Sequence, residues 1–351
     1  MSYPQAHEGI QAQLLEELIE IYLDHLESSG AVSRQTLVNY RIHLRPFQEY
    51  WRLHAPAHNY LLTREVLQEA YVWIRKEYRN QHGRPPAYTT VQDCFNRLHS
   101  CLNWLYKSNC TGTVNASDWC PRLRKVPNRQ YFPTLEEMER LIHAPNGPHR
   151  LRDTALMAFL LATGARRLET AHVLTRDVAF LTPASDLILG HDHRGHCWLR
   201  RVKGDRDGLG AGRYVVFGTE AGLLLKAYIR SADRQPDDRL FGLSDSGIGQ
   251  VIERHTSAIG LPEISPHAFR RAFAEYWDDH YRRGNRILLK LQLGHSLKGG
   301  DVTEDHYINQ ANYRRVIRDL LAHYVSPLQS IHLDWTAYPV TILEEPVVVA
   351  A

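Results

Sequence analysis

The chain has 351 residues, 43% of them apolar and 23% charged, with a formal net charge of +3. That length is more than one ordinary core holds, which predicts two folded domains. No run approaches the roughly 20 apolar residues that cross a bilayer, so no membrane partner is expected. Residues 1–29 carry six carboxylates (Glu8, Glu16, Glu17, Glu20, Asp24, Glu27) and no Lys or Arg, unlike a signal or transit peptide, which points to the cytoplasm. Five cysteines (Cys94, Cys101, Cys110, Cys120, Cys197) with no C-x-x-C pair predict reduced thiols rather than a disulfide scaffold.

The first elements read as helices, with no strand signal between residues 10 and 107. Leu14, Leu18, Ile21, Tyr22 and Leu26 recur at helical spacing, and Gly30 follows as a stop. Ser33 can cap a second helix, with Leu37, Tyr40, Leu44 and Phe47 inward and Arg34, Arg41 and Arg45 outward. Thr63 can start a third through Val66, Leu67 and Ile74. Thr90 can open a fourth carrying Val91, Phe95, Leu98, Leu102 and Leu105. The expectation is a small helical bundle. Residues 30–125 hold 14 Lys and Arg against six Asp and Glu, a net of 14 − 6 = +8. Such a local excess suits a phosphate-binding surface, although a solvated face has the same composition.

Asn109 to Pro133 shows no apolar period and carries Arg122, Arg124, Lys125 and Arg129, which reads as a basic linker. A second domain opens at Thr134-Leu135-Glu136-Glu137, a capping-box pattern. Helical spacing runs from Arg152 to Ala171. Between Leu187 and Phe217 the runs Leu187-Ile188-Leu189, Trp198-Leu199…Val202 and Tyr214-Val215-Val216-Phe217 are short and β-prone. They predict a small antiparallel sheet. The cluster His191-Asp192-His193…His196-Cys197 has metal-ligand residue types, but a polar loop entering a strand is the preferred reading. Helical patterns return through Leu223–Ile229, Ile248–Ile259, His267–His280 and near Leu288. The expected fold class is mainly α, a helical bundle followed by a mixed α+β catalytic domain with a small antiparallel sheet. The expected divisions are 1–126, 127–325 and a tail, 326–351. The tail carries Trp335, Tyr338, Val340, Ile342, Leu343 and Val347, which would pack on the same chain or dock on a neighbouring protomer.

Within the second domain stand Thr163-Gly164-Ala165-Arg166…Glu169, Val202-Lys203-Gly204, His267-Ala268-Phe269-Arg270, Leu293-Gly294-His295 and Thr303…Tyr307. In this order the set resembles the tyrosine recombinase (phage integrase) family, and the N-terminal helices resemble that family's core-binding domain. The likeness covers roughly residues 10–325. Physical chemistry explains why such groups belong together. A DNA phosphodiester is anionic, and cutting it without a metal requires fixed positive charge around the transition state. Arginine supplies this because its planar guanidinium stays charged and grips two oxygens at once.

The resemblance implies Arg166 and Arg270 as phosphate clamps, His267 as proton handler, His295 as hydrogen-bond donor and Lys203 as general acid. Glu169 would orient the basic groups. Tyr307 would be the nucleophile, with Tyr313 as the alternative. The twelve positions from His295 to Tyr307 exceed the family's common spacing, and the extra residues fit the loop Lys298-Gly299-Gly300-Asp301. A phenol with a pKa of about 10 must be activated by neighbouring cations and lose its proton as it attacks. Arg34, Arg41, Arg45, Arg122, Arg124 and Lys125 are the expected DNA contacts. No ATP, metal or other cofactor is expected. The implied partners are double-stranded DNA and further copies of the chain, as a tetramer on paired sites. A type IB topoisomerase, a telomere resolvase and a catalytically silent DNA-binding regulator are the rival readings.

Overall fold

The structure is a computed structural model that describes residues 10–11, 15–110, 114–124, 131–200, 212–282, 284–294 and 313–342. Its contacts divide the chain into two compact units, Met1–Arg129 and Gln130–Ala351.

In the first unit α1 (Leu15–Ser28), α2 (Arg34–His54), α3 (Arg64–Lys76) and α4 (Tyr88–Lys107) form the bundle. Ser33 caps α2 by accepting from Thr36 N, and Thr63 caps α3 by accepting from Val66 N; such a cap contributes about 1 kcal/mol. Leu37, Tyr40, Leu44 and Phe47 of α2 are buried, as are Val91, Phe95, Leu98, Leu102 and Leu105 of α4. On α1 the buried stripe is rotated from the expected one. Ile19 and Leu23 are fully buried, whereas Ile21 is 53% exposed. A helix with apolar residues on several faces does not reveal which of them meets its neighbours.

Two further expectations are corrected here. A two-residue antiparallel pairing joins β1 (Ile10–Gln11) to β2 (Leu61–Leu62), where no strand was expected; two residues are too few to show an alternation. The stretch after α4 is also more than a linker. A 3-10 turn at Ala116–Trp119 buries Ala116, Trp119 and Cys120 in the bundle core. The Tyr88 hydroxyl then donates to Arg124 O at 3.0 Å, and Gln92 Nε2 to Leu123 O at 3.3 Å. Arg122 and Arg124 are thereby held near the start of α4, both exposed.

The second unit opens with α5 (Leu135–His143). Its capping box is formed: Thr134 N donates to Glu137 Oε2 at 2.8 Å, and Glu137 N to Thr134 Oγ1 at 3.2 Å. Next comes α6 (Arg150–Thr163), in which every residue from Asp153 to Thr163 is buried. It is the central helix, packed by α8 (Thr219–Ser231) and α10 (Pro266–His280). Between them lie the short α7 (Arg167–Ala171) and α9 (Asp245–Ala258); α11 (Arg286–Leu293) and α12 (Tyr313–Ala322) follow.

The antiparallel sheet has the order β3 (Val178–Phe180), β5 (Gly195–Leu199), β6 (Arg213–Phe217), with Cys197 paired to both Val178 and Val215. The run at Leu187 does not join it. Instead β4 (Ile188–Leu189) pairs in parallel with β7 (Thr341–Ile342). Leu187–Leu189 is thus corrected from a strand of the sheet, and its place is taken by Val178–Phe180, which no sequence signal marked. Apolar alternation marks a strand but does not say with which strand it pairs.

The tail packs on its own unit as far as it is described. Leu328, Ile331, Leu333 and Tyr338 are buried in the core around α6, and Thr341 N donates to Leu187 O at 2.8 Å. Residues 343–351, with Leu343 and Val347, lie outside the described residues. In the His-rich cluster, His191 pairs with Asp186. His193 is buried, with Nε2 at 2.6 Å from Ile188 O and Nδ1 at 3.1 Å from the buried Lys226 Nζ.

Candidate active site

The site is built where α6 ends. Gly164 terminates that helix at φ +61°, and a Cβ there would lie 2.7 Å from Leu293 Cδ2. Glycine meets both demands, the left-handed backbone and the close approach of α11. Two residues on, Arg166 stands at the N-terminal cap of α7. Its backbone N donates to Glu169 Oε2 at 2.8 Å and its Nη1 to Glu169 Oε1 at 2.7 Å. The Arg166 side chain is 41% exposed, so the guanidinium is anchored on one side and open on the other. Its neighbour Arg167 turns away to Asp245, with Nε at 2.8 Å from Oδ1. The fold separates two adjacent arginines that composition treats alike.

Arg270 lies on the first turns of α10 and is only 4% exposed. Its Nη1 donates to Gly164 O at 2.7 Å, and its Nη2 donates to Leu293 O. Each terminal nitrogen carries a second N–H. Burial, then the nearby Arg166 and Arg213, lower its pKa to about 10, so it keeps its proton at neutral pH.

Three consecutive carbonyls at the end of α11 each receive a different arginine. Arg213 Nε donates to Gln292 O at 3.0 Å, Arg270 Nη2 to Leu293 O, and Arg166 Nη2 to Gly294 O at 3.3 Å. The C-terminus of a helix is the negative end of its dipole, and here it gathers three cations. Glu169 balances them, its side chain 6% exposed. Burial alone would raise its carboxyl, but hydrogen bonds and charge from Arg213, then Arg166, hold it below the usual carboxylate range.

His267 begins α10 one turn before Arg270, and it is exposed. Partial desolvation, then the positive charges of Arg270, Arg166 and Arg271, hold it below its ordinary value. The imidazole is therefore neutral, and able to accept a proton, at neutral pH. Since acceptance needs the neutral form, the acid limb of the cleavage rate is expected to have its midpoint below the ~6.5 of a free imidazole. Single-turnover cleavage measured from pH 5 to 8 checks this; a midpoint above that value would show the ring is not held neutral by its cationic surroundings.

The structure thus brings together Arg166, Arg270, His267 and Glu169. Lys203, His295 and Tyr307 lie outside the described residues, as does Lys125. Their positions in the chain adjoin what is described: Lys203 falls between the paired strands β5 and β6, and His295 directly follows Gly294. Tyr313, the alternative nucleophile, stacks on Tyr214 of β6 with ring centroids 5.5 Å apart. In the first unit Arg34, Arg41 and Arg45 are all exposed, but Arg41 is engaged by Glu20 at 2.6 Å. Sequence reasoning missed Arg213 and Gln292. Gln292 is fully buried, with Nε2 donating to Val216 O and Thr163 O and Oε1 accepting from Val216 N. An amide in the apolar run Leu288-Leu289…Leu291-Gln292-Leu293 was the available signal.

The chain is similar to several known proteins. Residues 132–296 match the model of the Phage integrase family. The tyrosine recombinase XerD of Shewanella oneidensis is 28% identical over 298 residues, covering 80% of this chain and 88% of that protein. XerD of Haemophilus ducreyi is 26% identical over 302 residues, covering 80% and 90%. Among solved structures, the XerH site-specific recombinase in its pre-cleavage complex with difH superposes with a TM-score of 0.54 at 15% identity, over 90% of this chain and 89% of that one. Lambda integrase (residues 75–356) bound to DNA also gives 0.54, at 14% identity, over 84% and 97%. Residues 132–296 thus carry a phage integrase family domain, and over most of its length the chain is similar to tyrosine recombinases.

Proposed function

We propose that the chain is a site-specific DNA recombinase that cuts and rejoins duplex strands through a 3′-phosphotyrosyl intermediate on Tyr307. The observation that carries this reading is the gathering of Arg166 and Arg270 at the last carbonyls of α11, immediately before His295, with His267 one turn from Arg270 and within the electrostatic reach of both arginines. Two guanidiniums beside a neutral imidazole suit a pentacoordinate phosphate, whose extra negative charge they would stabilise by fixed dipoles and charge.

In the proposed reaction the Tyr307 oxygen attacks phosphorus and loses its proton to the basic surroundings, with His267 as acceptor. The 5′ oxygen leaves and takes a proton from Lys203. His295 donates to a non-bridging oxygen. One phosphate ester replaces another, so bond energy is conserved and a 5′-hydroxyl from a partner duplex can reverse the step. The proposed partners are double-stranded DNA and further copies of the chain, as a tetramer; lambda integrase has been solved as a tetramer bound to a Holliday junction. Exposed Arg34, Arg45, Arg122 and Arg124 are proposed to contact phosphates in the first unit. A cytoplasmic location is proposed because Cys94, Cys101, Cys110, Cys120 and Cys197 are all free thiols. No described helix is long and apolar enough to cross a membrane.

The test is covalent capture. The protein is incubated with a pool of duplexes nicked near every candidate position, denatured, and the trapped DNA is sequenced. The expected result is a discrete adduct at one sequence, with exchange between two duplexes that carry it. Relaxation of supercoils without paired sites would favour a topoisomerase, and binding with no adduct on any duplex would favour the silent regulator.

A further inference from the structure

We propose that Arg213 is a positioning residue for strand cleavage: it neutralises Glu169 so that Arg166 can face the phosphate, and it holds the end of α11 from which the chain runs to His295. This rests on the recombinase reading above.

The geometry is specific. Arg213 is the first residue of β6, and its side chain is 15% exposed against 41% for Arg166. Nη1 and Nη2 grip the two oxygens of Glu169 at 2.6 and 3.0 Å, and Nε reaches Gln292 O at 3.0 Å. Three donors thus point inward, which suits a support better than a phosphate ligand. Gly294 makes room for it: a Cβ there would lie 2.7 Å from Arg213 Cδ. Lysine cannot reproduce the two-pronged grip, because an ammonium is a point charge.

The charge count gives Arg213 its consequence. Glu169 also receives Arg166 through both backbone N and Nη1. With Arg213 in place, two cations share one carboxylate, and Arg166 keeps net charge for the substrate. Without it, Glu169 and Arg166 form a closed pair, and a buried carboxylate with unmet acceptors pulls Arg166 away from the phosphate. The Gln292 carbonyl also loses its donor, leaving α11 held to β6 by the Gln292 side chain alone among these polar contacts.

The experiment uses the full chain and compares Arg213→Gln, Arg213→Lys, Glu169→Gln and the double variant Arg213→Gln/Glu169→Gln. Single-turnover cleavage on the captured nicked duplex is read beside gel-shift affinity. Arg213→Gln is expected to slow cleavage about a hundredfold, the scale of losing one element of transition-state support, with affinity within a few fold. Arg213→Lys should fall between. Adding Glu169→Gln should restore at least about tenfold of the loss, since a neutral amide no longer closes on Arg166. An unaffected Arg213→Gln, or a double variant as slow as the single, overturns the proposal.

Acid unfolding separates this from failure of the recombinase reading. Glu169 has a lowered carboxyl pKa, so its contribution to stability is present above the unfolded value and is lost as pH falls through the folded one. Removing Arg213 leaves burial less opposed and should move acid unfolding of the Arg213→Gln chain to higher pH. No adduct from the wild-type chain, together with this shift in the Arg213→Gln chain, defeats the recombinase reading alone; an unmoved acid midpoint in the variant defeats the role of Arg213.

Discussion

A Tyr307→Phe chain is expected to bind its duplex with unchanged affinity and to form no covalent adduct above background. The phenol oxygen is the atom that would become esterified, and phenylalanine keeps the ring while removing it. The other groups of the proposed site have other tasks: Arg166 and Arg270 hold the phosphate, and His267 is assigned to accept the proton. Tyr313→Phe is the companion measurement. Tyr313 stacks on Tyr214 at the start of α12, a packing role that phenylalanine preserves, so this chain should still yield adduct. Denaturing gels of both variants on the nicked duplex decide the matter. Adduct from Tyr307→Phe, or its loss from Tyr313→Phe alone, would move the nucleophile.

The second large effect is expected at Arg270. Its two terminal nitrogens bridge Gly164 O and Leu293 O, so one side chain ties the end of α6 to the end of α11. Arg270→Lys supplies one compact ammonium, which can satisfy one of these carbonyls. The other becomes a buried acceptor without its donor, at a cost of about 1–3 kcal/mol. Cleavage should fall further than stability suggests, by about 10²–10³, because a two-pronged charge is lost from the transition state. Single-turnover rates at saturating protein, with thermal unfolding beside them, separate the two effects. A rate that falls only in proportion to the unfolded fraction would make Arg270 a strut rather than a phosphate ligand.

Much of this was legible in the residues themselves. Helices announce themselves locally: the stripe Val91, Phe95, Leu98, Leu102, Leu105 needs no knowledge of what it packs against, and Thr134 and Glu137 satisfy each other within four positions. The types of group that can hold an anionic phosphate are likewise a matter of side-chain chemistry, and the resemblance to the tyrosine recombinase family picked out Arg166, His267 and Arg270 among them as candidates.

What the residues could not disclose is pairing over long separations. The bond from Arg213 to Gln292 spans 79 positions and that from Arg166 to Gly294 spans 128, and periodicity carries no information at such range. For the same reason Arg166 and Arg167 were equivalent until α7 turned one to the carbonyls of α11 and the other to Asp245. Leu187–Leu189 could not be assigned to β7 rather than to the sheet. Chain-local physics chose most of the elements, and the family resemblance named the candidate reactive groups. Only packing around α6 decided which charges share one carboxylate, because that depends on where three separate helix ends and a strand meet.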